Sequence, residues 1–191
     1  GLTGSIAMGK STTAGVFADR GVPGWDADRV VHDLYAPGGA GVAAIAQILP
    51  QAAVAGRVDR AVLRSAIVED DSVRLAVEAA IHPLVAANRA AFLAGNGGIV
   101  LCDVPLLFET GGDRWCDKTV VVTAPEAVQR ARVLARPGMT GAAFAAILAR
   151  QMPDAEKRRR ADYVIDTSLG LDAARSAVDD ILNDIQGADD A

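Results

Sequence analysis

The run Gly4-Ser5-Ile6-Ala7-Met8-Gly9-Lys10-Ser11, followed by Thr12, fits the spacing G-x-x-x-x-G-K-[ST]. Glycines at the two fixed positions let the backbone reach positive φ and approach an anion closely. Successive N–H groups then point inward from the start of a helix, a cradle for the phosphates of a nucleoside triphosphate. Lys10 adds a mobile positive charge, and Ser11 is the hydroxyl expected on Mg²⁺. Such a loop needs a strand before it and a helix after it. Residues 12–20, TTAGVFADR, read as the helix. Only Gly1-Leu2-Thr3 remains for the strand, which predicts that its first few residues precede Gly1. The bland reading is a chance glycine-rich helix start, against which position, spacing and the following helix all speak.

Carboxylates at strand ends are the second chemical feature, because ligands of parallel α/β sheets sit beyond the carboxyl ends of the strands. Asp103 ends the apolar run IVLCD, where it suits a place near Mg²⁺ or its water shell; a plain strand-end turn is the other reading. Asp26 and Asp28 follow a weak strand in GVPGW. Asp28 either faces an acceptor hydroxyl as a base or starts the helix RVVHDLY as an N-cap, whereas Asp26 reads as structural. Cys102 lies in an apolar strand and reads as core, and neither it nor Cys116 has metal or disulfide spacing. His32 reads as surface.

The elements that must position these groups follow from the alternation of short apolar runs with longer helical ones, the pattern of an α/β layered domain with a parallel sheet. GVPGW (21–25), GIVLCD (98–103), KTVVVTA (118–124) and YVID (163–166) are the later strands. About 70 residues between the second and third strands are helical in pattern and too long for a simple crossover, which predicts an inserted helical subdomain. The arginine-rich stretch RARVLARPGMTGAAFAAILARQMPDAEKRRR reads as two helices broken at Pro137-Gly138 and as a mobile lid. A helix over 171–185 and an acidic tail close the chain.

The chain has 191 residues, enough for one domain with inserted parts, and its core must be Ala, Val, Leu and Ile, since 51% of residues are hydrophobic and only 4% aromatic. A net charge of −5 argues against a general nucleic-acid binder. No apolar run approaches the roughly 18–20 residues of a membrane span, and no secretion signal opens the chain, so a soluble, cytoplasmic protein without membrane or nucleic-acid partners is expected.

Taken in order, GLTGSIAMGKST, DADRVVHDLY with APGG, IHPL, DVPLLFE and RQMPDAEKRRRADYVID resemble the dephospho-CoA kinase family over nearly the whole chain. Asp28, His82-Pro83 and Asp103-Val104-Pro105-Leu106-Leu107 through Glu109 are the most discriminating matches. The resemblance implies a three-layer P-loop NTPase fold with a parallel five-stranded sheet, with core segments at about 1–30, 96–130 and 161–191. It also implies a helical CoA-binding subdomain at about 31–95 and a helical lid at about 131–160. The reaction it implies is transfer of the γ-phosphoryl of ATP to the ribose 3′-hydroxyl of dephospho-CoA, with Mg²⁺; the sequence does not give the oligomeric state, and a monomer is the expectation. Carried over residue by residue, Gly4 through Thr12 bind ATP, with Lys10 on the β- and γ-phosphates and Ser11 on Mg²⁺. Asp28 accepts the ribose hydroxyl proton, and Arg136 is the lid arginine that meets the phosphates. Thr3, Asp28, His82, Asp103, Pro105 and Leu106 fall among the dephospho-CoA contacts.

Three positions depart from the family's pattern. Pro137-Gly138 stands where Asp or Asn-Gly is common, Ile147 where many members have Arg, and Thr167 where Asn commonly lies near the adenine. His82 by itself reads as a structural histidine, and Lys157-Arg158-Arg159-Arg160 as a solvated face or an anion contact. Two rival classes use the same cradle. A GTP-reading switch would carry Asn-Lys-x-Asp after a late strand, which this chain lacks. A P-loop kinase for another small acceptor would have no use for the inserted subdomain bearing IHPL.

Overall fold

Val120-Val121-Val122-Thr123 are all buried, as a strand covered on both faces must be, and they form a central strand of the molecule. The structure, a computed structural model, describes residues 1–189; the end of the expected acidic tail, Asp190 and Ala191, lies outside the described residues. The strands are β1 (Leu2–Thr3), β2 (Gly24–Asp26), β3 (Ala53–Val54), β4 (Arg57–Val58), β5 (Leu101–Asp103), β6 (Val120–Thr123) and β7 (Tyr163–Asp166). Five of them join in one sheet of order β2-β5-β1-β6-β7. β1 runs parallel between β5 and β6, with Leu2 opposite both Asp103 and Val120, and β7 pairs with β6 from Val120↔Tyr163 to Thr123↔Asp166.

The chain divides into two units, one of residues 1–24 with 99 onward, the other of residues 25–98. In the first, α1 (Lys10–Asp19) leaves the glycine-rich loop, α6 (Glu126–Leu134), α7 (Gly141–Leu148) and α8 (Asp154–Arg160) lie between β6 and β7, and α9 (Leu171–Asp189) follows β7. Its core gathers Leu2, Val16, Phe17, Val120, Val122, Ile165 and Val178. Arg20, at the end of α1, makes a two-pronged pair with Asp179 of α9 at 2.8 and 2.9 Å.

The second unit holds α2 (Ala27–Tyr35), α3 (Ala40–Ile48), α4 (Arg60–Glu69) and α5 (Asp71–Gly95) around a core of Ile45, Leu49, Leu63, Val77 and Ile81. Asp59 caps α4 through Ala61 N and Val62 N, and Asp70 caps α5 through Ser72 N. Arg74 ties Asp71 and Glu78 along the first turns of α5, and the helix runs through Pro83 without ending there. Trp25 Nε1 donates to Asn88 Oδ1 at 2.8 Å.

Two expectations are corrected. The inserted unit is not wholly helical, for β3 and β4 form a hairpin with Ala53 opposite Val58. Its turn residues Ala55 and Gly56 both have positive φ (51° and 74°), the requirement of a tight hairpin turn, but Ala-Gly lacks the Asn-Gly signature that marks such turns in a sequence. The arginine-rich stretch forms three helices rather than two. Besides the break at Pro137-Gly138, a second one spans residues 149–153, where Pro153 starts α8 and cannot continue α7.

Candidate functional site

The loop after β1 is bent by necessity. A Cβ on Gly4 would lie 2.4 Å from Val122 Cγ2 and 2.8 Å from the Val122 carbonyl, so only glycine lets the loop leave the sheet this closely. Gly9 precedes α1 at φ 92°, and Ala7 adopts φ 60°, a left-handed conformation unusual for a residue with a Cβ. Alternation of hand along such a loop turns successive amides to one side, which is how a backbone makes an anion cradle. Strain of this kind, held by the surrounding structure, marks functional loops.

Lys10, the first residue of α1, forms an ion pair with Asp103 at the end of β5; their side chains are 18% and 10% exposed. Ser11 and Thr12 are exposed on the first turn of α1. The structure thus brings the loop, Lys10 and the strand-end carboxylate of the first unit together.

Other partners of the loop were invisible in the sequence. Gln129 of α6 is 4% exposed and donates Nε2 to the Ile6 carbonyl at 2.9 Å, while Gln151, beyond α7, accepts from Ile6 N at 3.2 Å. The Thr167 hydroxyl lies 2.8 Å from the Met8 carbonyl and 3.2 Å from that of Thr123, both acceptors, and itself accepts from Arg132, whose second amine donates to the Thr167 carbonyl at 2.9 Å. Thr167, singled out as a departure near the base, here pins the phosphate loop. Ser5, Met8, Thr123, Gln129, Gln151 and Asp154 are among the residues lining a cavity of about 600 Å³ beside this loop.

Thr3 is fully buried and its hydroxyl donates to the Pro105 carbonyl at 3.0 Å, so this position fixes the turn after β5 and presents no surface of its own. Leu106, next in that turn, is 39% exposed. Glu109 accepts from Met152 N at 2.8 Å and pairs at 2.8 Å with Lys157 Nζ, a side chain with no exposure at all. The expectation of a solvated face therefore fails at Lys157, which is drawn inward by Glu109. Arg160 pairs with Asp113 and stacks over the Phe108 ring. Arg136 stands exposed in the turn after α6, and Arg130 and Arg150 are also exposed.

In the second unit Asp26 is the N-cap of α2, its carboxylate accepting from Arg29 N at 3.0 Å. Asp28 is therefore not the cap, and it lies exposed in the first turn, where the helix dipole favours a carboxylate. His82 is exposed on α5, and exposed His32 lies 3.4 Å from Arg60. Cys102 is buried in β5, as its apolar run predicted. Among the described residues no group of His, Cys, Asp and Glu could hold a metal ion alone, and no helix is long and apolar enough to cross a membrane.

A parallel sheet with a lysine-bearing glycine-rich loop after its central β1, and helices inserted between its later strands, defines the P-loop NTPase class. The family model described as dephospho-CoA kinase matches residues 1–172. Dephospho-CoA kinases from Cereibacter sphaeroides and Mesorhizobium japonicum are 55% and 54% identical to this chain, covering 100% and 98% of it and 97% and 96% of their own sequences. A solved Thermus thermophilus structure superposes with a TM-score of 0.85 at 31% identity, over 96% of this chain and 95% of that one. The dephospho-CoA kinase of Campylobacter jejuni shares the fold, with a TM-score of 0.63 at 20% identity over 96% of this chain and 95% of that one. The chain belongs to the dephospho-CoA kinase family.

Proposed function

We propose that this chain transfers the γ-phosphoryl group of ATP to the ribose 3′-hydroxyl of dephospho-CoA. The observation that carries the reading is the loop of residues 4–11, left-handed at Ala7 and Gly9, with Lys10 against Asp103, in a chain whose family match spans residues 1–172. Phosphoryl transfer asks little covalent work of a protein and much positioning and charge neutralisation. The inward amides of the loop and the Lys10 ammonium hold the β- and γ-phosphates. The bond from the γ-phosphorus to the β–γ bridging oxygen breaks, the bond to the acceptor oxygen forms, and the hydroxyl proton passes to a carboxylate oxygen of Asp28. Arg136 meets the charge spread over the transferring group.

The Ser11 hydroxyl and the Asp103 carboxylate are hard oxygen donors of the kind Mg²⁺ takes, and the ion when bound neutralises charge between the β- and γ-oxygens. On the acceptor side, Pro105 and Leu106 in the turn after β5 and His82 on α5 contact dephospho-CoA. Thr3 contributes through its hold on Pro105.

Release of ADP from ATP, or of GDP from GTP, assayed against dephospho-CoA, nucleoside monophosphates, shikimate and no acceptor tests the reading. Turnover with ATP and dephospho-CoA alone is expected. Equal turnover without acceptor would make the chain a hydrolase or switch, and a preference for another acceptor would overturn the substrate.

A further inference from the structure

Both backbone polar groups of Ile6, in the middle of the phosphate loop, are taken by glutamine side chains from opposite ends of the arginine-rich insertion. Gln129 Nε2 donates to the Ile6 carbonyl from α6, on the side where the chain enters the insertion. Gln151 Oε1 accepts from Ile6 N at the break between α7 and α8, where the chain returns. These groups lie 123 and 145 residues from Ile6 along the chain, and all belong to one folded unit.

The neighbouring contacts fix both roots of the insertion. Arg132, one turn of α6 beyond Gln129, is held on Thr167, and Thr167 donates to Met8 of the same loop. After Gln151, Met152 N is held by Glu109, Asp154 accepts from Thr123 Oγ1 at 2.8 Å, and Lys157 is buried on Glu109. Between the roots, α7 turns Ala142, Ala143, Ala145 and Ala146 to solvent and buries only Phe144.

We propose that Gln129 and Gln151 are positioning residues that set the conformation of the phosphate loop, by holding the carbonyl and the amide of Ile6 from the two roots of the helical insertion. The polarity is fixed. Gln129 must donate and Gln151 must accept, so the two amides are not interchangeable with the same replacements. Ala7, the next residue, sits at φ 60°, and a conformation of that kind persists only where its neighbours hold it. With Ile6 clamped on both sides, the left-handed step at Ala7 has a fixed start, and the amides after it keep their direction before any nucleotide arrives.

The inference rests on the kinase reading for its activity readout, and exchange of the Ile6 amide supplies one that does not depend on it. In nucleotide-free protein the Ile6 amide is expected to exchange slowly. Gln151→Met removes the acceptor at similar size, and exchange at Ile6 should quicken by on the order of tenfold, with little change elsewhere in β1 and α1. Gln151→Glu keeps an acceptor oxygen, so protection of the Ile6 amide should return.

Neither Gln129→Met nor Gln129→Glu can donate to the Ile6 carbonyl. Both should lower kcat/KM for ATP on the order of tenfold in wild-type-like folds, as judged by circular dichroism, and Gln151→Met should do the same. If Ile6 exchange in Gln151→Met matches wild type, or if Gln151→Glu leaves Ile6 as unprotected as Gln151→Met, the clamp is overturned. Variants that melt earlier yet keep wild-type kcat/KM would also overturn it, by reducing both glutamines to structural packing. Failure of the kinase reading looks different: the wild type itself would show no ADP release with dephospho-CoA.

Discussion

Lys10 pairs with Asp103 in the structure, and under the proposed function the same ammonium would meet a phosphate. The ammonium is held by a buried strand-end carboxylate in the structure, and a γ-phosphate presents the same charge type to it. Lys10→Ala should therefore cut turnover by at least ~10², the scale of losing a charge partner of the transition state, in a variant that still folds as judged by circular dichroism. Normal turnover by this variant would remove the loop from the chemistry. Asp28 is free of the capping role that Asp26 fills, so Asp28→Asn should reduce kcat by roughly 10² to 10⁴ with ATP affinity kept. A variant that only melts earlier would make Asp28 a helix-end charge. The loop and these acids were legible because their signal is local: spacing, a strand end, a helix start. Gln129, Gln151 and Thr167 were not, since each reaches the loop across 123 to 159 residues, and a glutamine in a helix carries no mark of what it will meet.

At the scale of elements, the proposed lid is narrower than its arginine content suggested. Residues 151–160 are tied to the core through Glu109, Thr123 and Asp113, and α6 through Ile6 and Thr167. Within the proposed lid, residues 135–150 carry none of these ties, and Arg136 stands near the start of that segment. Slowing of hydrogen exchange by an unreactive ATP analogue and dephospho-CoA should concentrate there, and Arg136→Ala should lower kcat far more than ATP affinity. Equal slowing across 151–160, or a pure affinity loss, would mean a static arginine surface. β2, β5, β6 and β7 were legible from their apolar runs, whereas the β3–β4 hairpin and the second lid break were not, because Ala-Gly lacks a turn signature and Gln-Met-Pro reads equally as a helix start and as a loop.

The junction of β7 with α9 gives a pH test. Tyr163 donates to Asp184 at 2.5 Å, and this bond, with burial second, pushes the phenol up to about 12. The folded state thus keeps a proton that the unfolded chain loses near pH 10. Stability from the bond is full below pH 10 and is lost as pH rises toward 12. Wild type should melt above Tyr163→Phe at pH 8, with the gap closing by pH 12; a constant gap would show that the hydroxyl does not titrate with folding.

Stability of the whole molecule turns on a charge that composition alone would place in water. Lys157 opens a run of four basic residues, yet its side chain has no exposure and lies on Glu109, whose second oxygen, Oε2, is buried without a hydrogen bond. A buried pair adds little over an apolar replacement of both partners, because desolvation offsets the attraction, but removing one partner strands the other charge. Lys157→Met should therefore destabilise the fold by about 3 kcal/mol. For a chain of this size that corresponds to a melting temperature lowered by roughly 6–12 °C. Adding Glu109→Gln removes the stranded charge and keeps an oxygen for Met152 N, so the double variant should recover most of the loss. Thermal melts of the two single variants and the double variant form a cycle that isolates the coupling. A Lys157→Met protein that melts with wild type, or a double variant whose loss equals the sum of the two singles, would show that Lys157 is carried by its aliphatic packing and that the charge pair couples nothing.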